Sequence, residues 1–336
     1  MGRSRFRAFG AEGYRVFPGA ALHRAGLGEA IVFARLLATD ATDDVMLYRN
    51  FATQEQLDAQ YLTASQLADP AAFMRQRQAD SDEARRLLPH LRDVAYGPTR
   101  IERMDIYPAA QSNAPMVMFI HGGYWSTPSI TKDFYAWIAR GLQPRGITTL
   151  VLDYAACPQV TLDEIVRQCR AAVAWIHKHA HSFGGDQARL YAAGHSAGGH
   201  LSAVLGLTQW ELDYDLPPDA VKGTFAVSGL FDLTPFPYTW LQPKLQLSWA
   251  EVRRHSPIAH VRQGGAPMVL VYGALETAEF HRQAADFGAA CASVSIPARL
   301  LALEGCLHNT AIDGFADSQS VLCRALFKLM GLPAAT

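Results

Sequence analysis

The chain has 336 residues, of which 49% are hydrophobic and 18% are charged, and its formal net charge is -1 at pH 7. This length and composition are typical of a globular protein with a sizeable core. A near-neutral chain gives no electrostatic reason to expect nucleic acid or an anionic membrane as a partner. We therefore expect the partner to be a small molecule.

The five cysteines are odd in number and scattered along the chain. This pattern predicts neither a disulfide framework nor a zinc site, and it fits a reduced, cytoplasmic setting best. No apolar run approaches the roughly 20 residues that a membrane-spanning helix needs. The sequence leaves the oligomeric state open, with a homodimer as one option.

Residues 1–45 differ from the rest, because they begin with Arg3, Arg5 and Arg7 and have few acidic residues before Asp40. We expect a poorly ordered or loosely attached extension. Two alternatives are an organellar transit peptide, which is typically rich in arginine and poor in acids, and a true start at Met46. Residues 46–336 are expected to form one domain.

Residues 48–91 have a helical pattern of apolar residues. Asp69 and Pro70 are predicted to begin one of these helices, with the aspartate as N-cap and the proline in the first turn. Because these helices precede the first strand, they are placed to cover the mouth of a site.

The remaining chain alternates between strands and helices. The predicted strands are 100–106, 115–120, 148–152, 190–193, 223–227, 268–272 and 298–302, and the predicted helices are 134–142, 162–179, 198–207, 278–292 and 318–329. Near-continuous apolar strands between amphipathic helices predict an α/β fold with a mostly parallel sheet covered on both faces.

An insertion at residues 232–260 carries several aromatic side chains, among them Trp240. A long aromatic insertion between two strands is typical of a lid or a substrate wall. The alternative is a group of surface helices that pack their own aromatic residues.

Ser196 stands between Gly194 and Gly198, after an apolar run and before an apolar helical pattern. This context predicts the nucleophile elbow of an α/β-hydrolase, a strained turn in which the flanking positions must be small. Ala197 would then begin a helix, and its free amide could donate to an oxyanion.

A second motif, His121-Gly122-Gly123-Tyr124-Trp125, directly follows the predicted strand 115–120. Two glycines at this point let the backbone turn its amides toward a ligand. With the Ala197 amide, the amides of Gly122 and Gly123 would make an oxyanion hole. We predict that His121 braces the loop and is not a catalytic base.

A serine nucleophile needs a histidine to take its proton, and the partners follow in the order serine, acid, histidine in this fold. His308 is the predicted base, because it lies in a turn after the last strand and before the final helix. The other histidines after the serine fall in the insertion or inside a helix; they are His255, His260 and His281.

The acid should follow the strand 268–272. Glu276 has this position, and Glu279 lies one helical turn further on. Asp232 follows the preceding strand and is the alternative, although it also fits an N-cap of the insertion.

His177, His179 and His181 do not predict a metal site, because they fall at the end of a predicted helix, where residues two apart point in different directions. Neither a metal nor another cofactor is expected.

With these motifs in place, the chain resembles the α/β-hydrolases related to hormone-sensitive lipase, and among them the arylformamidase (kynurenine formamidase) family. The resemblance rests on the two motifs above, on the run 228–233 and on the run 279–283. It implies a triad of Ser196, Glu276 and His308. The family usually has aspartate at the acid position, but the longer glutamate still reaches the imidazole.

The implied function is that of a serine hydrolase that cleaves an aryl-formamide or ester bond through an acyl-enzyme. Tyr124, Trp125 and Trp240 are the predicted substrate-binding residues. One alternative is a carboxylesterase for short acyl or aryl esters. Another is a catalytically silent ligand-binding module, because a fold does not fix a function.

Overall fold

A computed structural model describes residues 46–333. The expectations for residues 1–45 fall outside this part of the chain. No helix in the described part is both long and apolar enough to cross a membrane.

Two helices precede the sheet, α1 (Gln54–Tyr61) and α2 (Pro70–Leu87), with a 3-10 turn at Thr63–Gln66 between them. The predicted start of α2 is confirmed, because the Asp69 carboxylate accepts a hydrogen bond of 2.8 Å from the Ala72 amide and Pro70 is the first helical residue.

The described residues form an eight-stranded sheet in the order β1-β2-β4-β3-β5-β6-β7-β8. The strands are β1 (Leu91–Ala95), β2 (Arg103–Tyr107), β3 (Ala114–Ile120), β4 (Thr148–Leu152), β5 (Gly185–His195), β6 (Thr224–Val227), β7 (Met268–Gly273) and β8 (Ala298–Leu303). β1 pairs antiparallel with β2, and β2 pairs antiparallel with β4. All other pairs are parallel, so the predicted mostly parallel sheet is confirmed.

The remaining α-helices are α3 (Ala139–Leu142), α4 (Leu162–His179), α5 (Ala197–Gly206), α6 (Trp210–Tyr214), α7 (Gln242–Leu245), α8 (Trp249–His255), α9 (Ala278–Ser293) and α10 (Val321–Leu329). The predicted helix 134–142 is wrong in extent. Two 3-10 turns, Lys132–Phe134 and Ala136–Ile138, lead into the four-residue α3.

The sequence did not predict β1. Four of its five residues are exposed, and Asp93 has a positive φ of 55° where the pairing with β2 is irregular. An exposed, bulged edge strand has little of the apolar alternation by which strands are recognised.

The core lies on both faces of the sheet. All seven residues of β3 are buried, with Met116 and Met118 in the cluster on one face and Val117 and Phe119 in the cluster on the other. The first cluster includes residues of α4 and the second includes residues of α10, so the expectation that helices cover both faces is confirmed. The carboxyl ends of the parallel strands meet at one edge of such a sheet, where sites are usually found.

Substituting Asp69→Ala should destabilise the protein by about 1 kcal/mol, because the N-cap hydrogen bond of α2 is lost. Urea unfolding would measure the change. Gln76→Ala on the exposed face of the same helix is the control, and it should change stability by less than about 0.5 kcal/mol. Equal effects of the two substitutions would contradict the N-cap role.

Candidate active site

The turn after β5 carries Ser196 with a positive φ of 57°. β5 ends at the residue before it and α5 begins at the residue after it, so the predicted strand, turn and helix are confirmed. Glycine is needed on both sides, since a Cβ atom at Gly194 would lie 2.1 Å from the carbonyl oxygen of Gly198, and one at Gly198 would lie 1.9 Å from that of Ile120. The turn therefore presents the serine at the end of the strand.

His308 lies after β8 at the start of a 3-10 turn, His308–Thr310, and Glu276 lies after β7. The His308 Nδ1 atom is 3.3 Å from Oε2 of Glu276, and both side chains are buried. The structure thus brings together the two residues that the sequence predicts as base and acid. When the Nδ1–H group donates a hydrogen bond to the carboxylate, Nε2 is left as the acceptor.

Ser196 and His308 line the same pocket, which also reaches Gly123 and Asn309. The space within the pocket is about 770 Å³ including its open mouth. A pocket of this size accommodates a small organic molecule.

Two further hydrogen bonds fix the Glu276 carboxylate. The Ser228 hydroxyl donates to Oε1, and the Gly273 amide donates to the same atom at 2.7 Å. Oε1 is thereby occupied, and Oε2 is the atom that faces His308. The sequence analysis did not assign a site role to Ser228, although it lies in the run 228–233 that carries part of the resemblance.

Asp232, the alternative acid, has other partners. Its carboxylate accepts a hydrogen bond of 2.9 Å from the Thr234 amide and one of 3.3 Å from the Tyr48 hydroxyl, and Arg282 lies 3.6 Å away. The aspartate therefore organises the start of the insertion and bonds to Tyr48, which precedes α1.

The other histidines considered as bases also have structural partners. His255 contacts Asp163 at 2.8 Å, and the remaining two bond to backbone carbonyl oxygens, His260 to that of Arg253 at 3.0 Å and His281 to that of Gly273 at 3.1 Å.

His195, next to the serine, is a site residue that the sequence analysis missed. Its Nε2 atom is 2.9 Å from the carbonyl oxygen of His308, and the two rings are 4.7 Å apart. Burial lowers the pKa of His195 well below its usual value. A neutral imidazole with its proton on Nε2 donates to this carbonyl and braces the loop that carries His308.

The loop 121–125 has an unusual backbone. Gly123 has a φ of 110°, and both Tyr124 and Trp125 have a φ of 55°. His121 braces the loop, because its Nδ1 is 2.7 Å from the carbonyl oxygen of Gly122 and its ring stacks on Tyr154 with 4.4 Å between centroids.

The loop passes directly beside the nucleophile. A Cβ atom at Gly122 would lie 3.2 Å from Cβ of Ser196 and 3.1 Å from the carbonyl oxygen of His195. On the other side of the serine, Ala197 is the first residue of α5, so its amide has no acceptor within the helix. Gly122 and Ala197 therefore flank the serine, and Gly123 lines the same pocket.

α2 and the turn before it form part of the pocket wall, as predicted for the helical stretch that precedes the sheet. α2 contributes Phe73, Met74 and Arg77. The other apolar and aromatic lining residues are Ala64, Tyr124, Ile130, Phe134, Tyr135 and Ile312.

The structure corrects two of the three predicted substrate-binding residues. Tyr124 lines the pocket, but Trp125 is only 1% exposed and its indole N–H donates to Nδ1 of His200 at 3.1 Å. Trp240 packs edge-on against Tyr124, 5.2 Å between centroids, and is not among the lining residues. Trp125 therefore anchors the loop in the core, and Trp240 packs against the loop residue Tyr124.

Of the two alternatives for the insertion 232–260, the substrate wall is not found, because none of its residues line this pocket. Its aromatic side chains pack on one another and on the core, as in the 5.7 Å pair Tyr238 and Trp249 and the 5.6 Å pair Phe236 and Trp125.

Within residues 46–333, the structure contains no group of three histidine, cysteine, aspartate or glutamate side chains that could hold a metal ion. His177 bonds to the carbonyl oxygen of Ala220 at 2.9 Å, and His179 stacks on Trp175 at 4.5 Å.

Comparison with known proteins places this geometry in a family. The BD-FAE family matches residues 104–289, more than half of the chain. The chain belongs to the BD-FAE family. The matched residues include the loop 121–125, the serine elbow and Glu276, and they end before His308.

Two relatives are kynurenine formamidases. The chain is 30% identical to that of Salmo salar and 29% identical to that of Danio rerio, in each case over 75% of this chain and 85% of the relative. Esterase LipC of Mycobacterium tuberculosis is 27% identical over 71% of this chain and 64% of its own length. The predicted arylformamidase and esterase group and the predicted serine hydrolase class are confirmed.

Solved structures agree on the fold. A candidate thioesterase from Silicibacter sp. TM1040 superposes with a TM-score of 0.69 at 25% identity, covering 80% of this chain and 97% of that one. An esterase from Pyrobaculum calidifontis gives a TM-score of 0.64 at 15% identity over 84% of this chain and 98% of that one. The predicted α/β-hydrolase fold is confirmed.

Substituting Ser228→Ala should lower kcat about tenfold with little change in KM. The substitution removes a hydrogen bond to a charged group, worth roughly 1.5–3 kcal/mol, and part of this energy is expected to be lost from the orientation of the predicted acid, Glu276. Steady-state kinetics would measure this. Ser320→Ala, which removes the N-cap of α10, is the control and should lower stability without lowering kcat. An unchanged kcat for Ser228→Ala would contradict the role given to Ser228.

Proposed function

We propose that this serine hydrolase cleaves the carbonyl–nitrogen bond of an aryl-formamide. The observation that carries the proposal is the pocket itself, in which Ser196 and His308 lie beside a wall of aromatic and apolar side chains that includes Phe73 and Phe134. Such a wall suits an aromatic amine as leaving group, and the relationship to the two kynurenine formamidases supports the same bond.

In the proposed mechanism, Ser196 attacks the formyl carbonyl carbon and His308 takes the hydroxyl proton as general base. Glu276 holds the imidazole in the tautomer that can accept this proton and stabilises the imidazolium that forms. The 3.3 Å contact between the carboxylate and Nδ1 supports this assignment.

The negative charge on the carbonyl oxygen would be held by the backbone amides of Gly122, Gly123 and Ala197. Each such donor is worth about 3 kcal/mol of barrier in comparable enzymes. The closeness of Gly122 to Ser196 and the free amide at the start of α5 support this arrangement.

Collapse of the tetrahedral intermediate breaks the carbon–nitrogen bond. The imidazolium of His308 gives its proton to the leaving nitrogen, so the product is a neutral aryl amine. Water, activated by the same imidazole, then attacks the formyl ester of Ser196 and releases formate. These reaction steps require no cofactor. The partner is a small-molecule amide or ester.

A carboxylesterase acting on short acyl or aryl esters is the second candidate. It would use the same residues, and the match to esterase LipC favours it. The two candidates differ in the leaving group. An ester can expel an alkoxide without prior protonation, whereas an aryl-formamide needs its nitrogen protonated so that a neutral amine leaves and not an amide anion.

Steady-state turnover of N-formylkynurenine, compared with that of p-nitrophenyl acetate, should show the higher kcat/KM for the formamide. The aromatic pocket binds the large leaving group, and binding energy from that group lowers the barrier. Good turnover of the ester with none of the formamide would favour the carboxylesterase.

A fluorophosphonate probe should label Ser196 in the wild type but not in Ser196→Ala, and the variant should lose turnover. A catalytically silent ligand-binding module would not react with the probe. Labelling followed by peptide mass spectrometry is the measurement.

Glu276→Ala should reduce kcat by roughly 10⁴-fold, as loss of a triad acid does in other serine hydrolases. Asp232→Ala is the matched control, and it should affect stability more than turnover because its partners are Thr234 in the insertion and Tyr48 before α1. The reverse ranking in steady-state assays would identify Asp232 as the acid.

A further inference from the structure

The chain segment 60–63, at the end of α1, contacts three separate loops of the candidate active site. We call this segment the clasp. It accepts hydrogen bonds from the loop after β3, the loop after β7 and the loop after β8. These loops carry, in that order, the proposed oxyanion hole, acid and base.

The contact with the first loop is made by Tyr124. Its hydroxyl donates to the carbonyl oxygen of Tyr61 at 2.8 Å and lies 2.8 Å from the Thr63 hydroxyl. Burial raises the pKa of Tyr124, so the phenol stays protonated and able to donate. The bond holds in place a residue whose φ is positive, directly after Gly123.

The other two contacts also involve immediate neighbours of proposed catalytic residues. Thr277, next to Glu276, donates its hydroxyl hydrogen to the carbonyl oxygen of Gln60 at 2.6 Å. Asn309, next to His308, donates from Nδ2 to the carbonyl oxygen of Thr63 at 3.1 Å.

The clasp is itself anchored in the core. The Tyr61 side chain is 1% exposed, and its hydroxyl donates to the buried Glu279 at 2.8 Å. Its ring packs against Phe280 at 5.8 Å, and Phe280 in turn lies 4.4 Å from the His308 ring. Buried aromatic packing and a charged hydrogen bond leave the clasp little freedom to move.

We propose that the clasp is a positioning device that sets the distances between the oxyanion loop, the acid loop and the base loop. Thr277 and the Tyr124 hydroxyl are then positioning groups that act through their neighbours. This inference rests on the proposed function, because it assigns a task to residues around the proposed triad.

The physical reason is the steep dependence of rate on geometry. The three loops leave different strands, and a displacement of about 1 Å in a catalytic group can reduce the rate about 100-fold. Hydrogen bonds from one rigid segment to all three loops remove the independent movement that would produce such displacements.

The test uses Thr277→Val, which keeps the side-chain shape but lacks the hydroxyl, and Tyr124→Phe, which lacks only the phenol oxygen. Each should lower kcat about tenfold, the loss expected when one hydrogen bond that orients a reacting group is removed. KM should stay nearly constant for Thr277→Val, because Thr277 is not among the residues that line the pocket.

Thr277→Ser restores the hydroxyl and should restore kcat. Thr161→Val removes the N-cap hydroxyl of α4, which bonds to the Glu164 amide and not to the clasp, and should lower the melting temperature without changing kcat. The second-order rate constant for inactivation by a fluorophosphonate should fall in parallel with kcat in Thr277→Val and Tyr124→Phe, the two variants that lose a hydrogen bond to the clasp and are called the clasp variants below.

Wild-type kcat and inactivation rates in both clasp variants, with only the melting temperature lowered, would overturn the positioning role. This failure is distinct from failure of the proposed function. If Ser196→Ala still hydrolyses N-formylkynurenine and p-nitrophenyl acetate, the proposed function fails whatever the clasp variants do.

Discussion

The site depends on how closely the first turn of α5 packs against the end of β3. Gly198 approaches the carbonyl oxygens of Ile120 and His121 so closely that a Cβ atom would lie 1.9 Å from the first and 2.6 Å from the second. Only glycine permits this contact. Because the loop 121–125 begins at this point, the same contact brings its amides next to Ser196.

The other half of the site is held by hydrogen bonds. In the sheet, β6 lies between β5, which carries the nucleophile, and β7, which precedes the acid. Ser228, just after β6, bridges this gap by donating to Glu276, while His195 beside the nucleophile bonds to the backbone of His308. Steric contact thus fixes the serine and its amides, and polar contacts fix the acid and the base relative to them.

Several features could be predicted because they follow from local patterns. The elbow, the N-cap at Asp69 and seven of the eight strands have signals within a few residues of sequence. Glu276 could be proposed over Asp232 because it follows the strand after which an acid is expected in this fold. The 3.3 Å contact with His308 agrees with that choice of residue.

What could not be predicted depends on contacts between distant parts of the chain. The aromatic residues of the insertion gave no sign of which surface they would cover, and Trp125 reads equally well as a substrate contact and as core. β1 is exposed and irregular, and a strand of this kind has no apolar period. Ser228 and His195 act through partners 48 and 113 residues away, which no local pattern reveals.

One part of the pocket wall comes from α2 and from the turn before it, which precede the sheet and lie outside the residues that match the family, and the other part, which includes Phe134, lies mostly within them. This first part of the wall and the serine elbow are therefore encoded in different stretches of the gene. A change in residues 64–77 can alter which molecules enter while the elbow stays untouched. Selection can thus change the substrate specificity of this enzyme without changing its nucleophile.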